Sequence, residues 1–313
     1  MDFEKQEAAL LSRAAAFRTK SNESGPVTNR IVDIFSDGIR MSGTVWEPKS
    51  KCGLMPAILL CHGWGGKRAH LDFSYAVRFA EAGFMVLTFD YRGWGDSDGV
   101  LVGSKDRVQE VRKVIDPEWQ MRDVDNAMNY LIGLEHVDAN RIGIWGSSFG
   151  GGHALAMAAR MGGRIKCVVC QIGSIDTHAN WVDRHPQFKG VQAIQQLAID
   201  QAYGRVSPWT IQMPQGLDGA PNLPKVVFEH TNNTIASLDK IQAATLILAA
   251  ENEELFKNEN NSEFVYHRLK GRVPAELSYL PGGHYDAYGQ PAYGKGVAQA
   301  LKWFQLYLTL SKI

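Results

Sequence analysis

Arg141-Ile142-Gly143-Ile144-Trp145-Gly146-Ser147-Ser148-Phe149-Gly150-Gly151-Gly152 is the stretch that decides the fold. Ile142 to Trp145 is a short apolar run that reads as a buried strand. It ends in Gly-x-Ser-x-Gly, with Gly146 and Gly150 two positions either side of Ser148. An Ala-rich run, His153 to Met161, then reads as a helix. Strand, tight glycine-flanked turn and helix together form the context of a nucleophile elbow, where a serine sits exposed on a strained turn. Glycines are needed there because strand and helix backbones approach too closely for a Cβ. The helix N-terminus beneath the oxygen favours negative charge. Ser147 lacks glycines at the flanking positions and is expected to face away. Glycine and serine are also ordinary turn residues, so the motif needs an oxyanion hole, an acid and a histidine from the rest of the chain.

Working outward, the rhythm is alternating strand and helix, the pattern of a mainly parallel sheet covered on both faces. Upstream, Val27 to Phe35 and Ile39 to Trp46 read as a hairpin through Ser36-Asp37-Gly38. Pro56 to Cys61 is a fully apolar strand running into His62-Gly63-Trp64-Gly65-Gly66. A helix from about Leu71 to Ala82 and a strand from Phe84 to Phe89 lead into the glycine-dense loop Asp90 to Gly99. A longer connection reaches Asp116-Pro117-Glu118, a helix start, and that helix runs to about Leu134. Downstream, Ile165 to Ile172, Ala244 to Ala250 and Ala275 to Leu280 read as strands, and Asn261 to Leu269 and Tyr293 to Leu308 as helices. Residues 173–237 break the rhythm and are too long for a simple loop. They read as a cap inserted above the sheet, with a helical patch at Val191 to Ala202. The expected organisation is an N-terminal helical arm (1–25), a core (26–172 and 238–313) and the cap. The arm carries Ala8, Leu10, Leu11, Ala14, Ala15 and Phe17 on one broad apolar face, suited to pack across the domain or against a second subunit of a homo-oligomer.

Composition narrows the function classes. The chain has 313 residues, 45% hydrophobic and 21% charged, with 33 Lys+Arg against 33 Asp+Glu. A net charge of zero gives no argument for nucleic acid or an anionic membrane surface as partner. No apolar run of about 18 residues reads as a membrane span. Met1-Asp2-Phe3-Glu4-Lys5 does not open a secretory signal, so a cytoplasmic location is expected. Cys167-Val168-Val169-Cys170 has C-x-x-C spacing but lies in a strand, where positions three apart face opposite ways. No second cysteine or histidine pair completes a metal site, so neither a metal nor a cofactor is expected.

The chemistry follows from which residues trail the strands. Loops at the C-terminal ends of parallel strands gather on one edge. Of the nine histidines, His284 alone follows the last strand, in a Gly-Gly-His turn on the same edge as Ser148. It is the expected base, and later the acid toward the leaving group. A carboxylate must fix its tautomer. Glu253, just past the preceding strand, is the first choice, and Asp176, after the strand ending near Ile172, is the alternative. Glu251 and Glu254 read as a solvated acidic turn. The oxyanion donors are expected to be the backbone amides of Phe149 and Trp64, with His62 a supporting hydrogen-bonding residue. Tyr91, Trp94, Trp181 and Trp209 are candidates for an aromatic acyl pocket, or they pack the cap onto the sheet.

The motifs at 62–66, 90–99 (Asp-Tyr-Arg-Gly-Trp-Gly-Asp-Ser-Asp-Gly), 146–151 and 282–286 (Gly-Gly-His-Tyr-Asp) come in the order Ser148, Glu253, His284. In these the chain resembles the α/β-hydrolase superfamily from about Val27 to the C-terminus. It is most similar to the branch of dienelactone-hydrolase-like, acetyl-xylan-esterase-like and X-Pro-peptidase-like enzymes. The resemblance implies an α/β-hydrolase fold, here with the cap read above, and a serine hydrolase working through an acyl-enzyme, without fixing the substrate; the leading expectation is a small-molecule ester, with a thioester or amide as alternatives. Glutamate at the acid position departs from the commoner aspartate, which keeps Asp176 open. The same acyl-enzyme allows acyl transfer, and the fold also serves non-catalytic ligand binders.

Overall fold

The computed structural model describes residues 25–50, 53–104, 107–177, 191–209 and 219–309. The N-terminal arm and its role in an oligomer contact, the cap residue Trp181 and the tip of the first small hairpin lie outside them. The chain begins with two ten-residue strands, β1 (Val27–Ser36) and β2 (Ile39–Pro48), paired antiparallel. Asp37 and Gly38 both have positive φ, the backbone a two-residue hairpin turn demands. Next come β3 (Met55–Cys61), a helical stretch over residues 68–81 with one widened turn, and β4 (Met85–Phe89). After a small hairpin, β5 (Val100–Ser104) and β6 (Arg107–Val111), a two-residue strand β7 (Val114–Ile115) precedes helix α1 (Pro117–Ile132). Asp116 caps α1 by accepting from the Glu118 and Trp119 amides, and Pro117 occupies its first turn. The elbow strand β8 (Val137–Ser147) runs directly into α2 (Phe149–Met161), and β9 (Ile165–Gln171) follows.

Between β9 and the next long strand lie α3 (Val191–Ala202), β10 (Ala220–Pro221), a wide turn Lys225–His230 and α4 (Thr231–Ser237). Then come β11 (Ala244–Ala250), α5 (Ser262–Leu269), β12 (Ala275–Leu280) and α6 (Ala292–Phe304). Among the described residues, eight strands make the main sheet in the order β1-β2-β4-β3-β8-β9-β11-β12. From β4 to β12 every pairing is parallel, and β1 and β2 join antiparallel at one edge.

Both faces of the central part of this sheet are covered, which is why β3, β4 and β11 are buried along their whole length, whereas the edge strands β1 and β12 are partly exposed. Ala57 and Leu59 of β3, Ile142 and Ile144 of β8 and Val168 of β9 face α1, α2 and α5. Ile58, Leu60, Trp145 and Val169 face the 68–81 helical stretch and α6. Cys170 and Cys167 fall on these two opposite faces, buried and free, as strand geometry requires. Ile194, Leu223, Val226 and Val227 of the inserted segment belong to the same core as α1 and α2. No helix among the described residues is long and apolar enough to cross a membrane.

The sequence pattern ahead of Asp116 predicts a plain connection, yet Val100–Ser104, Arg107–Val111 and Val114–Ile115 form β5, β6 and β7. Glu110 and Arg112 pin this hairpin to the 90–99 loop through Gly99 N and Gly95 O. Such pairing depends on partners distant in sequence, so local pattern does not reveal it.

Candidate active site

At the elbow, Ser148 has φ 56° and ψ −123°. A non-glycine residue in that region is strained and persists only where its surroundings over-determine it. Here they do. Ser148 N donates to Gln171 O at 2.9 Å, and Ser148 O accepts from Gly151 N (2.9 Å) and Ser174 N (3.0 Å). A Cβ on Gly146 would run into the Gly150 carbonyl, and one on Gly150 into the carbonyls of Cys61 and His62. The motif's glycines are therefore packing requirements of a strand and helix in contact.

β3, β8, β11 and β12 run parallel, so their trailing loops share one edge. Three side chains from them meet in line. His284 Nε2 lies 3.1 Å from Ser148 Oγ, and His284 Nδ1 lies 2.9 Å from both Glu253 Oε1 and Oε2. His284 and the Glu253 side chain are 2% and 3% exposed, which makes their hydrogen bonds stronger than they would be in water. Glu253 Oε1 also accepts from the Leu255 and Phe256 amides, which holds the carboxylate in place. An imidazole so held carries its proton on Nδ1 and presents a lone pair from Nε2 to the serine hydroxyl. Asp176, the alternative acid, follows β9, and its amide donates to Asn261 Oδ1. It is Glu253 that occupies Nδ1 of His284.

The loop after β3 closes the other side. A Cβ on Gly63 would lie 2.9 Å from both Ser147 O and Ser148 Cβ, so this backbone passes directly beside the serine. Trp64 is half-buried and packs edge-on against Phe149, with ring centroids 5.4 Å apart. His62 Nδ1 lies 3.0 Å from the Gly63 carbonyl, within hydrogen-bond reach. Three buried imidazoles surround this region without joining the Ser148 line. Burial drives His62 and His230 down to about 3 and His153 well below its ordinary value, so all three are neutral. His230 stacks on the Phe149 ring at 4.1 Å and meets Thr177 Oγ1 at 2.6 Å. His153 meets Gln120 Oε1 at 2.9 Å.

The candidate pocket aromatics fare differently. Tyr91 and Trp94 are core residues, each 1% exposed. Tyr91 packs between His62, Phe89 and His153, and Trp94 Nε1 donates to Val114 O. Trp209 packs on Trp119 of α1, at 5.5 Å. The 90–99 loop is a brace: Arg92 pairs with buried Asp123, and Asp90 accepts from the Arg68 and Asp96 amides. Glu254 is not merely a solvated acid either. Its Oε2 accepts from the His284 amide at 2.6 Å. Phe256, edge-on to His284 at 5.0 Å, and Tyr288, bonded to Ser147, are further neighbours that the sequence does not single out. Only Glu254 carried a signal, its place beside Glu253.

A family model described as X-Pro dipeptidyl-peptidase (S15 family) matches residues 37–213, more than half of the chain. The chain belongs to the S15 family. It has the α/β-hydrolase fold. This S15-family chain is 33% identical over 167 residues to the quorum-quenching protein AidA of Acinetobacter baumannii, covering 53% of the chain and 51% of AidA. It is 28% identical over 140 residues to the thiohydrolase aneE of Aspergillus aculeatus, covering 45% of the chain and 40% of that protein. The match thus spans about half or less of the length of these curated relatives. An esterase of Pyrobaculum calidifontis shares the fold, with TM-score 0.65 and 19% identity over 98% of this chain and 94% of that one.

Proposed function

We propose that this protein is a hydrolase that cleaves a carboxylic ester, thioester or amide by nucleophilic catalysis, with Ser148 as nucleophile, His284 as general base and acid, and Glu253 as the orienting carboxylate. The observation that carries the reading is the unbroken hydrogen-bond line Glu253–His284–Ser148 ending on a strained elbow. As Ser148 Oγ attacks the acyl carbon, Nε2 takes its proton, and Glu253 stabilises the resulting imidazolium. The oxyanion forms toward the amides of Phe149 and Trp64, where each donor is worth about 3 kcal/mol in the transition state. His284 then protonates the leaving group, water attacks the acyl-enzyme, and Ser148 is restored. The substrate is a small molecule.

The test is Ser148→Ala, assayed on p-nitrophenyl esters and an X-Pro p-nitroanilide. Turnover is expected to fall by about 10⁶-fold, with loss of fluorophosphonate labelling. Wild-type turnover in that variant would refute the assignment. Product analysis with a competing alcohol separates hydrolysis from acyl transfer, which uses the same intermediate.

A further inference from the structure

Glu253 and His284 leave β11 and β12, which are neighbours, and their loops are tied directly. Glu251 N donates to Leu280 O and Asn252 N to Gly282 O, each at 2.9 Å. Ser148 leaves β8, and both β9 and β11 lie between it and β12. Strand register therefore holds the carboxylate against the imidazole directly, but the imidazole against the serine only through two intervening strands.

A side-chain bridge spans that gap. Ser147, one residue before the nucleophile, points away from the site, 1% exposed. Its Oγ shares a 2.7 Å hydrogen bond with Tyr288 Oη. Tyr288 closes the short helical turn Tyr285–Tyr288 that begins at His284. A second tie runs parallel. Gln171 Nε2 donates to Tyr75 Oη at 2.8 Å, and Tyr75 Oη donates to Ala287 O at 3.2 Å, while Gln171 O holds Ser148 N. Burial raises the Tyr75 and Tyr288 phenols well above their ordinary range, so both stay neutral hydrogen-bonding groups at any working pH.

We infer that Ser147 and Tyr288 are positioning residues, whose shared hydrogen bond sets the distance from Ser148 Oγ to His284 Nε2. This rests on the hydrolytic reading above. Neither side chain reaches the reacting atoms. What the bond supplies is alignment, and an error of about 1 Å at such a contact can cost up to about 10²-fold in rate. A bond that merely satisfied two polar groups would affect stability and leave turnover of the folded protein alone.

The experiment uses the full chain with Tyr288→Phe, Ser147→Ala, both together, and Ser148→Ala. It measures kcat and KM on p-nitrophenyl butyrate, the fluorophosphonate labelling rate and the thermal midpoint. Each single variant is expected to lower kcat and labelling about tenfold with KM held within about twofold. The double variant should fall no further than the worse single, because both delete one bond. Unchanged kcat in the single variants would overturn the inference, as would multiplying losses in the double. If Tyr288→Phe does not fold, Ser147→Ala, which removes one oxygen, carries the same comparison. An active Ser148→Ala would sink the hydrolytic reading itself. An inactive Ser148→Ala beside an unimpaired Tyr288→Phe would remove only the bridge.

Discussion

Replacing Glu253 by glutamine keeps the side chain's size and removes its charge, and the surrounding donors dictate how the new amide must lie. The Leu255 and Phe256 amides both point at Oε1, so the glutamine carbonyl takes that position. Its NH₂ group then faces His284 Nδ1, where the carboxylate had accepted at 2.9 Å. Nδ1 keeps only the carbonyl at the Oε1 position, which already accepts two amides, and meets a donor at the Oε2 position, so the ring proton is displaced toward Nε2 and Ser148 Oγ. The hydroxyl loses the lone pair that would take its proton, and the imidazolium loses its counter-charge. Wrong-tautomer imidazole with intact geometry costs about 10⁴-fold in kcat in the Ser-His-Asp serine proteases, or about 5 kcal/mol of transition-state stabilisation. We expect a similar loss here on p-nitrophenyl butyrate, with KM and the urea midpoint close to wild type. Asp176→Asn in parallel should leave kcat within about threefold, since Asp176 does not hold Nδ1. Glu253→Gln within tenfold of wild type, or a large loss in Asp176→Asn instead, would refute the reasoning and move the acid to Asp176.

Two further outcomes follow from the packing. Gly63→Ala should lower kcat by about 100-fold or more, because its Cβ would sit 2.9 Å from Ser147 O and Ser148 Cβ and push the loop off the serine; kinetics at wild-type level would show that the loop yields. Stability should fall in acid. The unfolded chain protonates His62 and His230 near 6.5, whereas burial holds them down to about 3 in the fold. Their contribution is fully present above pH 6.5 and is lost as pH drops toward 3, at about 1.4 kcal/mol per pH unit for each. Asp90, raised to about 6 by burial, opposes this between about 3.8 and 6, as do Asp72 and Asp123, whose carboxyls burial also raises, while His153, likewise held down, acts with the two imidazoles. Urea midpoints from pH 8 to 4 should therefore be flat and then decline, and His230→Phe, which preserves the stacking on Phe149, should flatten the decline. An unchanged slope in that variant would count against buried neutral His230.

Much of the fold was legible in the sequence, for a physical reason. A strand buried on both faces must be continuously apolar, so Pro56 to Cys61, Ile142 to Trp145 and Ala244 to Ala250 announce themselves locally. Asp37-Gly38 and Asp116-Pro117 are turn and cap chemistry settled within four residues. Gly146 and Gly150 mark the elbow because no Cβ can stand between β8 and α2. Chain order plus the rule that loops gather at one edge placed His284 and Glu253 on the serine's side of the sheet.

What the tertiary structure alone decided is distance and direction. An aromatic on a loop looks the same in sequence whether it lines a pocket or fills the core. Tyr91 proved to be core because His62, Phe89 and His153 pack around its ring, and Trp94 because Val114 of β7 and the Gly219 backbone lie against it, through contacts remote along the chain. Three glutamates within four residues are equivalent in sequence. Only the folded backbone turns Glu253 onto His284 Nδ1 and Glu254 onto the His284 amide. Ser147 and Tyr288 stand 141 positions apart, and nothing local links them. Composition and periodicity report how each segment meets solvent or core, whereas a reacting site depends on ångström-scale separations between segments, which exist only once the sheet has ordered its strands.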